Sequence, residues 1–123
     1  MISGVVNANR EGRVRLRIQG PEGHEQEIEA VMDTGFNGFL TLPPSVIAAL
    51  GCPHIGRGRA VMANGQSELF DVHEATIIWD GQPRTVDADA ADTEALMGMS
   101  LIYGYELRIQ AIDGGRVTLE PLP

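Results

Sequence analysis

The chain has 123 residues, the length of one domain with enough chain for a single modest core. Its formal net charge of −8 argues against nucleic-acid partners, whose phosphates need basic side chains, and against anionic membranes. The single cysteine, Cys52, cannot form an internal disulfide, which suits a reducing compartment. The start has no charged-then-apolar leader and no apolar run is as long as a membrane span, so we expect a cytoplasmic protein.

Antiparallel strands are predicted for the first part of the chain. Residues 13–19 alternate strictly, with three apolar side chains on one face and three arginines on the other, which is typical of a half-buried strand. A turn at Gly20 and Pro21 leads to residues 26–32, which alternate at first and then become apolar on both faces. Residues 2–7 are predicted to pair with the strand at 13–19.

A short strand at residues 39–42 and one helix follow. Pro43 and Pro44 begin the helix because their fixed φ suits a first helical turn, and Gly51 ends it. Residues 52–54 are predicted to be a connector. One cysteine and one histidine there are too few ligands for a metal site, so the sequence predicts no metal and no other cofactor.

Asn64-Gly65 predicts a tight hairpin turn, because this dipeptide favours the positive φ that such turns need. Strands are predicted on both sides, at residues 58–63 and 66–79. The second arm is longer than one strand pairing requires, and only its second half is apolar. We therefore expect the tip of the hairpin to project from the body, while residues 75–79 pack in the core.

An acidic run at residues 87–94 overlaps the end of a strand predicted at residues 82–89. It lacks the mid-loop glycine and the ligand spacing of a calcium loop, so we predict a solvated acidic loop. An apolar stretch ending in Gly98 and one or two helical turns at residues 99–103 come next. Two final strands are predicted, at the ranges 105–111 and 116–120.

These elements amount to roughly eight or nine short strands and one or two short helices. They fit an all-β closed barrel, or a sandwich with curled edges, in a single domain at residues 1–123.

An apolar strand runs directly into Asp33-Thr34-Gly35, which is the candidate catalytic motif. An ionised carboxylate at the end of a buried strand is costly unless it is hydrogen-bonded or shares a proton. Two adjacent carboxylates can activate a water for attack on a carbonyl, because only one of them is ionised at working pH. No second Asp-Thr-Gly or Asp-Ser-Gly occurs in the chain, so this chemistry requires a homodimer. An Asp that merely shapes a turn is the alternative interpretation of Asp33.

From about residue 13 to residue 120, the chain resembles the single-domain aspartic proteases of the retropepsin-like group, including their bacterial members. The resemblance depends on Asp33-Thr34-Gly35 after an apolar strand, on the Asn64-Gly65 hairpin, and on Leu96-Met97-Gly98 before a short helix. It implies an aspartic endopeptidase with a retropepsin-like (acid protease) fold. In this interpretation Asp33 supplies the catalytic carboxylate from each subunit, Thr34 cross-braces the two loops, and Gly35 orients the carboxylate.

The resemblance also implies where a peptide or protein substrate binds, as an added β-strand. The hairpin would be a flap over the substrate, with Ala63, Asn64, Gly65 and Gln66 at its tip. Phe36 stands where the best-known members have a small residue, and it either fills a subsite or packs under the loop.

Two further segments receive roles from the resemblance. Met97 and Gly98 would run beside the catalytic loop and contribute to substrate binding, with Gly98 beginning the short helix. Residues 116–123 correspond to the segment that supplies the dimer strands in familiar members, although Pro121 and Pro123 limit strand pairing there.

A rival hypothesis keeps the fold and drops the catalysis. A β-barrel that only binds peptides, or that only dimerises, would have the same strands and the same groove. The sequence does not separate this hypothesis from the peptidase.

Overall fold

The computed structural model describes all 123 residues, 1–123, as ten strands and two short helices. In chain order these elements are β1 (Ile2–Val6), β2 (Gly12–Gln19), β3 (Glu25–Met32), β4 (Leu40–Leu42), α1 (Pro44–Leu50), β5 (His54–Val61), β6 (Ser67–Trp79), β7 (Gln82–Ala90), β8 (Leu96–Met97), α2 (Met99–Ile102), β9 (Tyr105–Ile109) and β10 (Arg116–Pro121). Neither helix has the length and apolar character that crossing a membrane would require.

All ten strands belong to one sheet that closes on itself. The strand order is β5-β6-β7-β4-β8-β3-β2-β1-β10-β9, and an additional pairing between β6 and β2 closes six of these strands into a barrel. Strand β5 lies outside the barrel at one end of the sheet, and β1, β10 and β9 lie outside it at the other. The prediction of an all-β closed barrel with one or two short helices is therefore confirmed.

The barrel interior is filled by alternate residues of its strands. On β2, Val14, Leu16 and Ile18 are almost completely buried, as their alternation predicts. The arginines between them point outward and lie opposite glutamates of β3, with Arg15 level with Glu29. Cross-strand pairs of opposite charge stabilise this register, and a one-residue slip would move every apolar side chain into water.

Strand β8 passes between β3 and β4. It pairs in parallel with β3, where Met32 lies beside Met97, and antiparallel with β4, where Leu40 lies beside Met97. The Met97 side chain is completely buried. This crossing fixes the end of β3, where Asp33 follows, against the start of α2.

Two sequence predictions need correction. The acidic run is not wholly a loop, because its first four residues continue β7, with Ala88 buried and Asp87 exposed. Its high content of acidic residues conceals the alternation that continues from Val86. Strand β5 begins at His54, before the predicted start at residue 58. The sequence did not indicate the earlier start, because most residues of β5 are exposed on both faces and give no periodic signal.

The C-terminal strand also differs from what the resemblance implies. Strand β10 pairs with β1 along one edge and with β9 along the other, all within one chain. Both edges of residues 116–119 are therefore occupied, and these residues have no free edge for a strand of a second chain. The open edge at this end of the sheet belongs instead to β9.

Candidate active site

The backbone of the Asp33 turn is fixed by hydrogen bonds on both sides. The Asp33 N–H donates to the carbonyl of Met97 at 2.9 Å, which ties the turn to β8. The Phe36 N–H donates to the carbonyl of Asp33 at 3.2 Å and closes the turn. The half-buried Asp33 side chain therefore leaves the barrel at a defined point and in a defined direction.

The Asp33 carboxylate is oriented by Gly35. Its Oδ1 atom accepts a hydrogen bond from the Gly35 N–H at 2.9 Å. A Cβ at position 35 would lie 3.3 Å from the same oxygen, which is tighter than an ordinary contact. Glycine thus allows the close approach of backbone to carboxylate.

The start of α2 holds the loop that follows the turn. The Met99 N–H donates to the carbonyl of Phe36 at 2.7 Å, and the Ser100 N–H donates to the carbonyl of Gly38 at 3.1 Å. The Ser100 hydroxyl donates to the carbonyl of Asn37. These bonds satisfy amides at a helix start that would otherwise have no partner, and they fix residues 36–38 against the end of the barrel.

Phe36 packs within this loop. Its ring lies against two glycines: a Cβ on Gly38 would be 2.5 Å from the ring, and a Cβ on Gly98 would be 2.7 Å from it. The Cβ on Gly98 would also lie 2.1 Å from the carbonyl oxygen of Gly38. Phe36 thus packs under the loop, and it also lines the adjacent groove.

A groove of about 930 Å³ lies between this loop and the stem of the β5–β6 hairpin. One wall is formed by residues 35–38, and the opposite wall includes Arg59, Val61, Leu69 and Phe70. The groove is open to solvent. Gly35 lines it, so it begins beside the Asp33 carboxylate.

The predicted flap is a five-residue turn between β5 and β6. The Met62 N–H donates to the carbonyl of Gln66 at 2.7 Å, and Asn64 Oδ1 accepts from the Gln66 N–H at 3.0 Å. Gly65 adopts a φ of 82°, as the Asn-Gly signal predicts. The tip residues Ala63, Asn64, Gly65 and Gln66 are exposed, and only the stem of the hairpin lines the groove.

A second cavity, of about 640 Å³, lies on the other side of the Asp33 turn. Thr34 lines it together with Met32, Val6, Ile109 and Ile112. Thr34 is exposed, and both isoleucines expose much of their apolar surface. The Asp33 turn therefore lies between the groove and a cavity whose lining is partly apolar and partly polar, since Asn7, Arg10, Glu11 and Asp113 also line it.

Sequence reasoning missed Asp89 as part of the groove. Asp89 lies on β7 and is half-buried. Burial, and secondarily the charge of Asp87, raises the pKa of the Asp89 carboxyl above its ordinary value. The alternation of Val86 and Ala88 with the aspartates was the available signal.

Apart from the exposed hairpin tip, Ala63 to Gln66, the predicted site residues fall into three groups in space. Asp33, Thr34 and Gly35 form the turn itself, and Phe36 and Gly98 pack against each other beside it. Met97 supports the turn through its carbonyl, with its side chain in the core rather than in the groove. No group of three or more His, Cys, Asp or Glu side chains that could hold a metal ion occurs in the structure.

Comparison with solved structures identifies the fold. The chain is similar to a retropepsin-like aspartic protease from Rickettsia conorii, with a TM-score of 0.59 and 14% identity over 99% of this chain and 91% of that one. It is also similar to a foamy viral protease-reverse transcriptase in complex with an RNA/DNA hybrid, with a TM-score of 0.54 and 14% identity over 89% of this chain; the match spans only 12% of that protein's length. A weaker similarity, with a TM-score of 0.49 and 17% identity, is to the protease of Simian Foamy Virus (mac), over 72% of this chain and 90% of that one.

No protein-family model and no curated protein matches the chain. At these identities the likeness establishes the fold, which is retropepsin-like as the sequence resemblance implies.

Proposed function

We propose that this chain is one half of an aspartic endopeptidase. Two Asp33 carboxylates, one from each of two identical chains, activate a water molecule that attacks a peptide carbonyl. The observation that carries this proposal is the Asp33 turn: a carboxylate held by the Gly35 N–H at 2.9 Å, at the end of a barrel strand and beside an open groove. The retropepsin-like fold supports the same assignment.

The proposed chemistry needs two carboxylates with different protonation states. Two such groups within hydrogen-bond distance cannot both be ionised, so they share one proton and titrate as a pair. The ionised member takes a proton from the attacking water, and the protonated member donates its proton to the carbonyl oxygen. Collapse of the tetrahedral intermediate then breaks the C–N bond, with a proton transferred to the departing amine. A single chain has one Asp33 and lacks the second group.

The proposed substrate is an extended peptide in the groove between residues 35–38 and the hairpin stem. Main-chain hydrogen bonds to an added strand do not depend on side-chain identity, and side chains facing the walls would supply preference. In this proposal Phe36 and Gly98 shape the floor beside Asp33. The exposed tip, Ala63 to Gln66, closes over the bound peptide, since few buried contacts hold it in one position.

The test is a digest of a peptide library at several pH values by the native chain and by Asp33→Asn. We expect cleavage to fall at least about a thousandfold in the variant, because an amide cannot act as a general base. Asp87→Asn is the matched control, since it removes an exposed carboxylate on β7 outside the groove lining. Both variants should keep the circular dichroism spectrum of the native chain.

Two results would decide against the peptidase. Cleavage by Asp33→Asn at the native rate would exclude the aspartic mechanism. Binding of peptides without cleavage at any pH, by both the native chain and the variant, would favour the non-catalytic peptide-binding barrel.

A further inference from the structure

The groove beside the Asp33 turn has an acidic lining. Four carboxylates and a single guanidinium line it: Glu68, Asp71, Asp89 and Asp92, with Arg59 as the cation. Asp71 is already paired, since its Oδ1 lies 3.0 Å from His54 Nε2 and 3.6 Å from Arg57 Nε. Glu68 and Asp92 are exposed, so water solvates both of them. Asp89 is the half-buried carboxylate of the set.

No other group of the chain stabilises the charge of Asp89. Burial and the negative charge of Asp87 raise the pKa of its carboxyl, and no hydrogen-bond donor or cation opposes them. Thr41 lies level with Asp89 on the neighbouring strand β4, but its hydroxyl is engaged elsewhere. That hydroxyl accepts from the Leu96 N–H at 2.9 Å and donates to the carbonyl of Glu94 at 3.4 Å. The ionised Asp89 carboxylate therefore lines the groove without a partner from its own chain.

An aromatic ring lies beside this carboxylate. A Cβ at position 38 would be 2.5 Å from the Phe36 ring and 3.5 Å from Asp89 Oδ2, so the ring and the carboxylate approach the same point. Both side chains line the groove. A carboxylate next to an apolar ring fits a side chain with an apolar stem and a cationic end, which describes lysine and arginine. The face of the ring also attracts a cation.

Asp89 lies close to the candidate catalytic turn in the fold. The loop that its Oδ2 atom approaches, residues 36–38, follows the Asp33 turn directly. A peptide that leaves the Asp33 carboxylate along the groove therefore passes Asp89 beside this loop.

The unpaired carboxylate also discriminates between ligands. Desolvation makes the ionised form of Asp89 costly, and a cation from a ligand would offset that cost through a charge-assisted hydrogen bond. A neutral apolar side chain in the same place would desolvate the carboxylate further without compensation. The groove is thus built to reject a neutral side chain here as well as to favour a basic one.

We propose that Asp89 and Phe36 form a subsite of the groove for a lysine or arginine side chain of the bound peptide. The carboxylate binds the cationic end, and the ring contacts the apolar stem. This inference rests on the proposed function for its ligand, an extended peptide. It concerns binding, however, and is measurable without any cleavage.

Peptide binding to the Asp33→Asn chain tests the subsite, because this variant retains the groove and does not cleave the probe. The probes are short fluorescent peptides that carry either lysine or norleucine at each position in turn, and binding is measured by fluorescence anisotropy. Norleucine has the stem of lysine without its ammonium group. At one position we expect the lysine peptide to bind about tenfold more tightly than the norleucine peptide at pH 8.

Adding Asp89→Asn should reduce this preference to about twofold or less, chiefly by weakening the binding of the lysine peptide. The amide removes a charge that is costly in the folded chain, so the variant should remain folded. Asp87→Asn is the matched control, since it removes the same charge from an exposed position of the same strand outside the groove lining. That variant should keep the preference for lysine.

The pH dependence provides a second readout. The charged groups that face Asp89 are Asp87 on its own strand and the groove residues Arg59, Glu68, Asp71 and Asp92. Strand β4 and residues 35–38 contribute none. A cation binds only the ionised carboxylate, so the lysine peptide should lower the pKa of Asp89, followed by carbon-13 NMR, and the norleucine peptide should not. The preference for lysine should accordingly decline as the pH falls through the pKa of Asp89.

The outcomes separate this subsite from the proposed peptidase. An equal loss of both peptides in Asp89→Asn, no preference for lysine at any position, or no binding of any probe would overturn the subsite. Cleavage of peptides by the native chain without a preference for basic residues would support the peptidase and contradict the subsite. Lysine-selective binding that depends on Asp89, with no cleavage by the native chain, would support the subsite and contradict the peptidase.

Discussion

At the scale of the residue, the site depends on glycines that let the backbone come close to a carboxylate or to another backbone segment. Gly35 brings its N–H to 2.9 Å from the Asp33 carboxylate. Gly98 brings the start of α2 against the carbonyl of Gly38, where a Cβ would lie 2.1 Å from that oxygen. The geometry of the site therefore depends on the lack of a Cβ at Gly35 and Gly98 as well as on the carboxylate.

Gly98→Ala should destabilise the fold. The added methyl would meet backbone atoms of Gly38 and Phe36, which cannot rotate away as a side chain can. We expect a loss of about 3 kcal/mol in the free energy of unfolding, measured in urea. Gly56→Ala is the matched control, because nothing lies within 4 Å of a Cβ at that position. Equal stability of the two variants would contradict the packing described around Gly98.

The residues of the Asp33 turn were predictable from sequence, whereas their supports were not. Asp33-Thr34-Gly35 after an apolar strand is a local pattern with a chemical meaning. Ser100, whose hydroxyl donates to the carbonyl of Asn37, is 63 positions away in the chain from that partner. Such long-range contacts depend on how β8 passes between β3 and β4, which no local pattern specifies.

At the scale of the element, strand β7 forms a chemically distinctive wall of the groove. It places the half-buried Asp89 opposite Thr41 of β4 and Val72 of β6. Sequence composition predicted a solvated loop from residue 87 onward because acidic residues dominate there. The element is a strand because Val86 and Ala88 alternate with the aspartates and fill the barrel. The alternation of apolar and polar residues is therefore a better guide to a strand than acidic composition is to a loop, where every second side chain enters a core.

Asp89→Asn should stabilise the protein at neutral pH. The pKa of Asp89 is raised in the folded state, so its ionised form costs stability above that folded pKa. The cost disappears as the pH falls below the unfolded value of about 3.9, where the carboxyl is protonated in both states. The melting temperature of the variant should therefore exceed the native value at pH 7 and approach it near pH 3.

Asp92→Asn is the control for this experiment, since Asp92 is exposed. A melting temperature of Asp89→Asn that lies below the native value at pH 7 would show that the carboxylate, rather than its neutral form, is favoured in the fold.

At the scale of the whole molecule, the sequence predicted the class of fold but not the arrangement of its ends. Turn signals and alternation were enough for an all-β barrel with short helices, because most elements are marked locally. The pairing of β10 with β1 was not predictable in this way. It joins strands from opposite ends of the chain. As a result, the edge strand at this end of the sheet is β9 and not the C-terminal strand β10.

The central claim is that catalysis needs one Asp33 from each of two chains. Mixing native chains with Asp33→Asn chains tests it most directly, at a concentration where dimers predominate and with time for subunit exchange. In an equal mixture only about one quarter of randomly formed dimers contain two Asp33 side chains.

Peptide cleavage at constant total protein should therefore fall to about one quarter of the native rate, and with other mixing ratios it should follow the square of the native fraction. A fall to about one half, in proportion to the native fraction, would show that each chain acts alone and would contradict the shared site.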